Sequence, residues 1–320
     1  MCYSAQVWSD YRKYVREFRA KIRIKEFFKI FFARSQGAKL VFPRGMENAF
    51  ANPQTEEEQA IWDMVLEYRR LKTVEIEVDL FAQRKRLADA QRKLEKKVTK
   101  TAQEEQRIST NKIERALQKI GDMNRIEYRK PDDRIFPMSY LPVMLFEDGE
   151  LVIKPMRYQC RPARAPASYD DLYPGTFNAR RTSLREFWRG EFGKTHGVVV
   201  AQSFYEWVNR HEAEGRALRP GEVPTKTEIV FNPNNDQDMF VACLVSHWER
   251  PGEEPLDSFA FITDEPPEEV RNAGHDRCIV PLRPENVMPW LTPEGRSLDD
   301  LDQMLEDRER PYYDHQLLAA

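Results

Sequence analysis

Cysteine is scarce and scattered in this 320-residue chain: four residues, Cys2, Cys160, Cys243 and Cys278, with no CxxC pair. That spacing argues against a disulfide framework or a zinc ribbon, and no metal centre is expected. Glycine is sparse too, 13 in all, and neither GxGxxG nor GxxxxGKS/T occurs. Phosphate cradles of those two kinds are therefore absent, and no cofactor is expected. No run approaches ~18 consecutive apolar residues, so no membrane span and no membrane partner are expected. The opening MCYSAQ lacks the basic and apolar regions of a secretory signal, which points to the cytoplasm.

Charge is what the chain has in quantity: 32% charged residues beside 41% hydrophobic ones, with a net charge of −3. The balance alone argues against a generic nucleic-acid binder, but the charge is uneven. Tyr11 to Arg44 holds eleven Lys/Arg and two Asp/Glu, a local +9. Arg84 to Lys130 holds fifteen and seven, a local +8, so the remainder sums to −20. Such asymmetry marks either a face for a polyanion or a pair of solvated helices.

Tyr11, Tyr14, Val15, Phe18, Ile22, Phe28 and Phe31 recur at helical spacing and predict one amphipathic helix, ended by Gly37, Pro43 and Gly45. A second helix is expected to start near Thr55, where TEEE puts acids at the positive end of the dipole. Leu80, Leu87, Leu94, Thr101 and Ile108 then repeat every seven residues. The opposite seam is polar, so a long helix or helical hairpin with one narrow buried stripe is expected. Asn111 with Glu114 resembles a capping box and suggests a break there. After Pro131 strand-like runs appear: Tyr140–Phe146, Glu150–Ile153, Gly197–Ala201, Glu228–Phe231, Met239–Val245, Phe259–Thr263 and Cys278–Leu282. Asp148-Gly149, Asn232-Pro233-Asn234-Asn235 and Pro251-Gly252 supply turns. The fold class is α+β, mixed and mostly antiparallel. Its expected parts are an N-terminal segment 1–9, a basic helical insertion 10–130, an α+β core 131–296 and a weakly docked tail 297–320.

Four places carry chemistry. Cys2 becomes the first residue once Met1 is removed, and its α-amine and thiol then lie on one residue. Their ordinary pKa values, ~7.7–8 and ~8.5, leave both partly available near neutrality. A 1,2-aminothiol forms a Schiff base with an aldehyde and then closes a thiazolidine ring. Phe177-Asn178-Ala179-Arg180 lies between a Tyr/Pro/Gly-rich loop and a helix expected from Thr182. Ser203-Phe204-Tyr205-Glu206-Trp207 puts a carboxylate between aromatics after an apolar strand, where its pKa can rise. Gly274-His275-Asp276-Arg277 is a turn that presents an imidazole and a guanidinium.

In order and separation, Cys2, FNAR, SFYEW and GHDR resemble the SOS-response-associated peptidase (SRAP) family of abasic-site processing proteins. Arg134-Ile-Phe-Pro137-Met-Ser-Tyr-Leu-Pro142-Val resembles the family's "NVAP…PV" segment, and Pro155-Met156-Arg157-Tyr158 its "PMRWG" strand. The stretch Val280–Trp290 resembles "PLVLSPE…W". The resemblance covers Cys2 and roughly 134–291. It implies a SRAP-like α+β core in which Cys2 traps the aldehyde of an abasic site in single-stranded DNA as a thiazolidine crosslink, within the DNA damage response at the nucleoid. It also implies that Asn178 holds the linkage, that Glu206 and His275 move protons, and that Arg180 and Arg277 contact phosphates. Trp207, Pro137 and Tyr158 would line the DNA path.

The chain departs from the family at several points. Cys2-Tyr3-Ser4 stands where the family has Cys-Gly-Arg, and Tyr3 is expected to crowd the turn that aims the amine. Tyr158 replaces the family's Trp. Residues ~10–130 are far longer than the usual connection, and the protein partner of this insertion is unknown. Two further readings stay open: a cysteine peptidase, acting on itself or on another protein, with Cys2 and His275 as nucleophile and base, and a non-catalytic DNA-binding scaffold.

Overall fold

The computed structural model describes residues 3–125 and 127–318. Thirteen strands form among them: β1 Ser4–Val7, β2 Lys21–Ile22, β3 Arg134–Ile135, β4 Tyr140–Glu147, β5 Glu150–Tyr158, β6 Asn178–Arg180, β7 His196–Asn209, β8 Lys226–Pro233, β9 Met239–Trp248, β10 Leu256–Asp264, β11 Cys278–Ile279, β12 Pro281–Leu282 and β13 Tyr313–Leu317. Five of them close a ring, in the order β7–β9–β10–β5–β4 and back to β7. All joints are antiparallel except β10–β5, and the last closes through Met144 opposite Val198.

Alternate residues of the ring strands fall into two separate buried clusters. Val143, Met156, Val199, Val241, Cys243, Phe259 and Phe261 fill one. Met144, Ile153, Val198, Leu244 and Ile262 belong to the other, together with Tyr14, Phe27, Phe31, Ile61 and Val65 from covering helices. Burial of both faces is why these strands read as apolar runs rather than as alternation. Gly197 marks the tightest place inside the ring. A Cβ there would lie 2.9 Å from both Val143 Cγ1 and Val245 Cγ2.

The expected first helix is two helices, α1 Tyr11–Phe18 and α2 Ile24–Ser35. Arg19 takes the left-handed conformation, φ 54°, and ends α1. Lys21 and Ile22 then pair in parallel with Val152 and Ile153 of β5. Sheet pairing thus overrides an aromatic periodicity that runs on through the break. A short helix, α3 Arg44–Asn48, precedes the hairpin of α4 Glu56–Lys96 and α5 Lys100–Asn124. Thr55 starts α4, its hydroxyl accepting from the Glu58 amide at 3.2 Å. The break in the hairpin is at Lys97–Thr99, where Thr99 accepts from the Ala102 amide at 3.2 Å, and Asn111 lies inside α5. The buried seam is narrow: Leu80, Gln83 and Ala90 on α4, and the small Ala102, Ser109 and Ala116 on α5. At 41 residues α4 is ~60 Å long. No helix among the described residues is long and apolar enough to cross a membrane.

Two local expectations fail. Only a 3₁₀ turn, Arg181–Ser183, forms where a helix was expected from Thr182. The C-terminal stretch is docked rather than loose. A helix over Leu298–Glu306 receives ion pairs from Arg181 to Asp302 and Glu306, and β13 pairs with β8 along five residues, burying Tyr313.

Candidate functional site

The site is built where β7 leaves the ring. In this part of β7, Phe204, Tyr205, Glu206 and Val208 are buried, while Trp207 is 52% exposed. β8 covers one edge of this stretch, with Glu206 opposite Ile229. β1 covers the other, with Ser4 opposite Tyr205 and Ala5 opposite Phe204. The first described strand therefore runs antiparallel to the strand of Glu206 and leads towards it.

His275 reaches the same carboxylate from another element. Gly274, at φ 90°, turns the chain after the short helix Glu268–Asn272, and the His275 amide bonds to the Val270 carbonyl. A Cβ at Gly274 would lie 2.8 Å from Glu212, so this turn accepts only glycine without rearrangement. The imidazole Nε2 sits 3.1 Å from Glu206 Oε2, and Nδ1 lies 2.9 Å from the Arg277 carbonyl oxygen. A carbonyl can only accept, so Nδ1 carries a hydrogen, and in the neutral ring Nε2 is the basic atom facing Glu206. Burial pushes the Glu206 pKa up, against the opposing pull of His275. Burial thus favours the neutral carboxyl beside a basic ring nitrogen, a pairing of groups able to give and take a proton.

Two strands bring the other residues alongside. β6 pairs in parallel with β10, placing Asn178 opposite Phe261 and Arg180 opposite Thr263. β11 pairs with the same end of β10, Cys278 opposite Asp264, so the GHDR turn and the FNAR strand flank one strand end. Asn178 is buried and Arg180 is exposed, with no ion pair among the described residues. Arg277 is mostly buried. Its Nη2 lies 3.6 Å from Asp276, and its Nε has no hydrogen-bond partner among the described residues. A cleft of about 830 Å³ opens beside His275 and Arg277, with Arg181, Arg216, Arg271 and Glu212 on its walls.

An apolar rim surrounds the start of β1. Tyr3, Phe136 and Met138 are each roughly two-fifths exposed, and Pro137 between the latter two is half-buried. The Tyr3 ring packs edge-on to Phe136 and Phe177, with centroids 6.0 and 6.1 Å away. Tyr3 is therefore held between two rings. Tyr158 departs from expectation: it is fully buried, stacked on Phe259 and against Phe177 and Phe261. A ring enclosed on these sides supports Phe177 from beneath and does not face a bound strand.

Cys2 lies outside the described residues. The three other cysteines are buried, and burial pushes their thiols up, that of Cys278 to about 12. None of these three is a thiolate near neutrality. Arg134 and Glu228, which tie β1 to its neighbours, had no signal in the sequence, since they lie 130 and 224 positions from Ser4.

The sequence profile of the family described as SOS response associated peptidase (SRAP) matches residues 98–317, from the hairpin turn to the end of β13. The chain is 29% identical over 131 residues to the abasic site processing protein YoqW of Bacillus subtilis (strain 168), and equally to that of Bacillus phage SPbeta. Each match covers 40% of this chain and 53% of the relative, so the chain spans about half the length of the curated relatives it matches. Crystal structures of proteins from Bordetella bronchiseptica and Bacteroides thetaiotaomicron superpose with TM-scores of 0.46 and 0.47 at 15% and 16% identity. They cover 59% and 58% of this chain and 88% and 78% of their own. With its profile match extending over more than half of its length, the chain belongs to the SRAP family.

Proposed function

We propose that the protein processes abasic sites in single-stranded DNA by forming a covalent crosslink through Cys2. The observation that carries this reading is the buried Glu206–His275 pair at the end of the strand against which β1 lies. The curated relatives named for abasic-site processing support the substrate. The chemistry proceeds as follows. The Cys2 amine attacks C1′ of the ring-opened sugar, and the carbinolamine loses its hydroxyl as water. The thiol then adds to the imine carbon and closes a thiazolidine. The Glu206–His275 pair supplies the proton that lets water leave and takes it back on reversal. Asn178 holds the linkage by hydrogen bonds. Arg180 and Arg277 neutralise phosphates. The exposed Trp207 and the rim of Pro137 and Phe136 receive unstacked bases. An imine intermediate also gives the site lyase character. The protein works on damaged chromosomal DNA, at the nucleoid.

The test is direct. Mature protein is incubated with a single-stranded oligonucleotide carrying one abasic site, resolved on a denaturing gel and mapped by mass spectrometry. A covalent species on Cys2 of a chain lacking Met1 is expected, and Cys2→Ser should lose the stable adduct. Absence of any adduct, an adduct elsewhere, or active protein that retains Met1 would overturn the reading. Release of a peptide without DNA attachment would favour the peptidase instead.

A further inference from the structure

β1 is a four-residue strand held on its outer side by only two residues of β3: Ala5 pairs with Ile135 and Gln6 with Arg134, and the pairing stops before Ser4. A strand this short frays easily at its end. The side chain of Arg134 takes over where the backbone pairing stops. Its Nε donates to Ser4 Oγ at 2.6 Å. Its Nη1 donates to Glu228 Oε2 at 3.2 Å, and its Nη2 to Glu228 Oε1. The guanidinium carbon lies over the Tyr205 ring, 3.7 Å from its centre, and 4.9 Å from the centre of Phe136. All three nitrogens are therefore engaged, and the group is sheltered, with 16% of the side chain exposed. A planar fork bonded through all three nitrogens and packed on aromatic rings is a rigid strut, which lysine cannot reproduce.

The strut reaches from β3 to three other strands. Ser4 belongs to β1, Tyr205 is its partner in β7 immediately before Glu206, and Glu228 lies on β8 opposite Trp207. Whatever fixes Ser4 relative to Tyr205 also fixes the chain leading to position 2 relative to Glu206. Tyr3, packed on Phe136 and Phe177, adds a second anchor.

We infer that Arg134 is the positioning residue that aligns the N-terminal nucleophile with the Glu206–His275 pair, acting through its bond to Ser4. This rests on the function proposed above. Three of the five N–H donors of Arg134 are engaged within the protein and its side chain is largely sheltered, so its contribution falls on rate rather than on affinity.

The experiment uses the full chain and four measurements. Crosslinking rate is followed on abasic single-stranded DNA. Affinity is measured on the same oligonucleotide with an unreactive tetrahydrofuran in place of the abasic sugar. Reactivity of the aminothiol is measured with 2-cyanobenzothiazole, and folding by thermal melting. Arg134→Gln should slow crosslinking by ~10- to 100-fold, the scale of a small misalignment of reacting groups. Ser4→Ala should slow it in the same direction but less, and Arg134→Lys should fall between. Affinity and 2-cyanobenzothiazole labelling should stay at wild-type level, because neither depends on alignment with Glu206.

Unchanged crosslinking rates in Arg134→Gln and Ser4→Ala would overturn the inference while leaving the proposed function standing. A loss of affinity matching the loss of rate would make Arg134 a DNA contact and overturn it too. Should Arg134→Gln fail to fold, Ser4→Ala decides alone. If wild-type protein forms no crosslink, the function itself fails and the inference falls with it.

Discussion

Along the hairpin of α4 and α5, acid and base pair within one helix and stay in water: Glu67 with Arg70, Lys72 with Glu75, Asp89 with Arg92, Glu104 with Arg107. Around the ring, charged groups are few, enclosed and held from several strands at once, as Glu206 is by His275 and Glu228 by Arg134. Exposed pairs are screened and contribute little to stability. Enclosed ones change the chemistry of their members, because burial penalises the charged form. Formal charge is densest in the hairpin, yet Asn178, Glu206 and His275 belong to the strand-rich part.

Removing the ring's enclosed acid should have the largest effect. Glu206→Gln keeps shape and removes the proton, so crosslinking should slow by ~10²–10⁴-fold with little change in affinity for tetrahydrofuran-containing DNA. Stability gives a second readout. A carboxyl whose pKa is raised in the folded state favours the fold while protonated, and that contribution is lost as pH rises above its ordinary value of ~4.3. The melting temperature of Glu206→Gln should therefore gain on wild type across the pH range above about 4.3. A difference constant across that range would mean that Glu206 is not held protonated by its burial.

One chemical change made in both regions should have opposite signs. Gly197→Ala places a methyl against Val143 and Val245 inside the ring and should cost ~1–3 kcal/mol in a denaturant titration. Gly121→Ala, in α5, meets nothing within 4 Å and should stabilise by ~0.5–1 kcal/mol through helix propensity. Equal effects would mean that the two regions are packed alike.

The smallest effects concern salt. Log affinity for single-stranded DNA should fall with log salt by ~0.7 per phosphate contacted. Arg180→Ala and Arg277→Ala should each reduce the slope by about one contact. Changing Lys93, Lys96, Lys97 and Lys100 together to Gln should leave it unaltered. If the lysines dominate the slope instead, the hairpin is a DNA clamp and charge density outweighs enclosure.

The ring strands and the start of α4 were legible in the sequence because apolar runs and a capping threonine are local signals. The break at Arg19 was not, since it depends on pairing between Ile22 and Ile153, 131 positions apart. Asn111 and Glu114 carry a capping pattern inside α5, while Thr99, a single residue, makes the cap. In the site, Glu206 and His275 stood out as residue types, but their contact joins a strand and a turn far apart in the chain. Position 4 was the least legible. Serine there reads as the loss of the family's arginine, yet a guanidinium reaches Ser4 from residue 134 on the neighbouring strand.

The pairing of β1 also sets a timetable for the chain during synthesis. Its partners are residues 134–135 and 201–205. At ~5–20 residues per second the ribosome needs ~10–40 s to make the second of these after β1 has emerged. Until then β1 has no β7 partner. A chain released early, anywhere before β7, carries Cys2 but neither Glu206 nor His275. Under the function proposed above, crosslinking to abasic DNA is thereby tied to completion of the polypeptide.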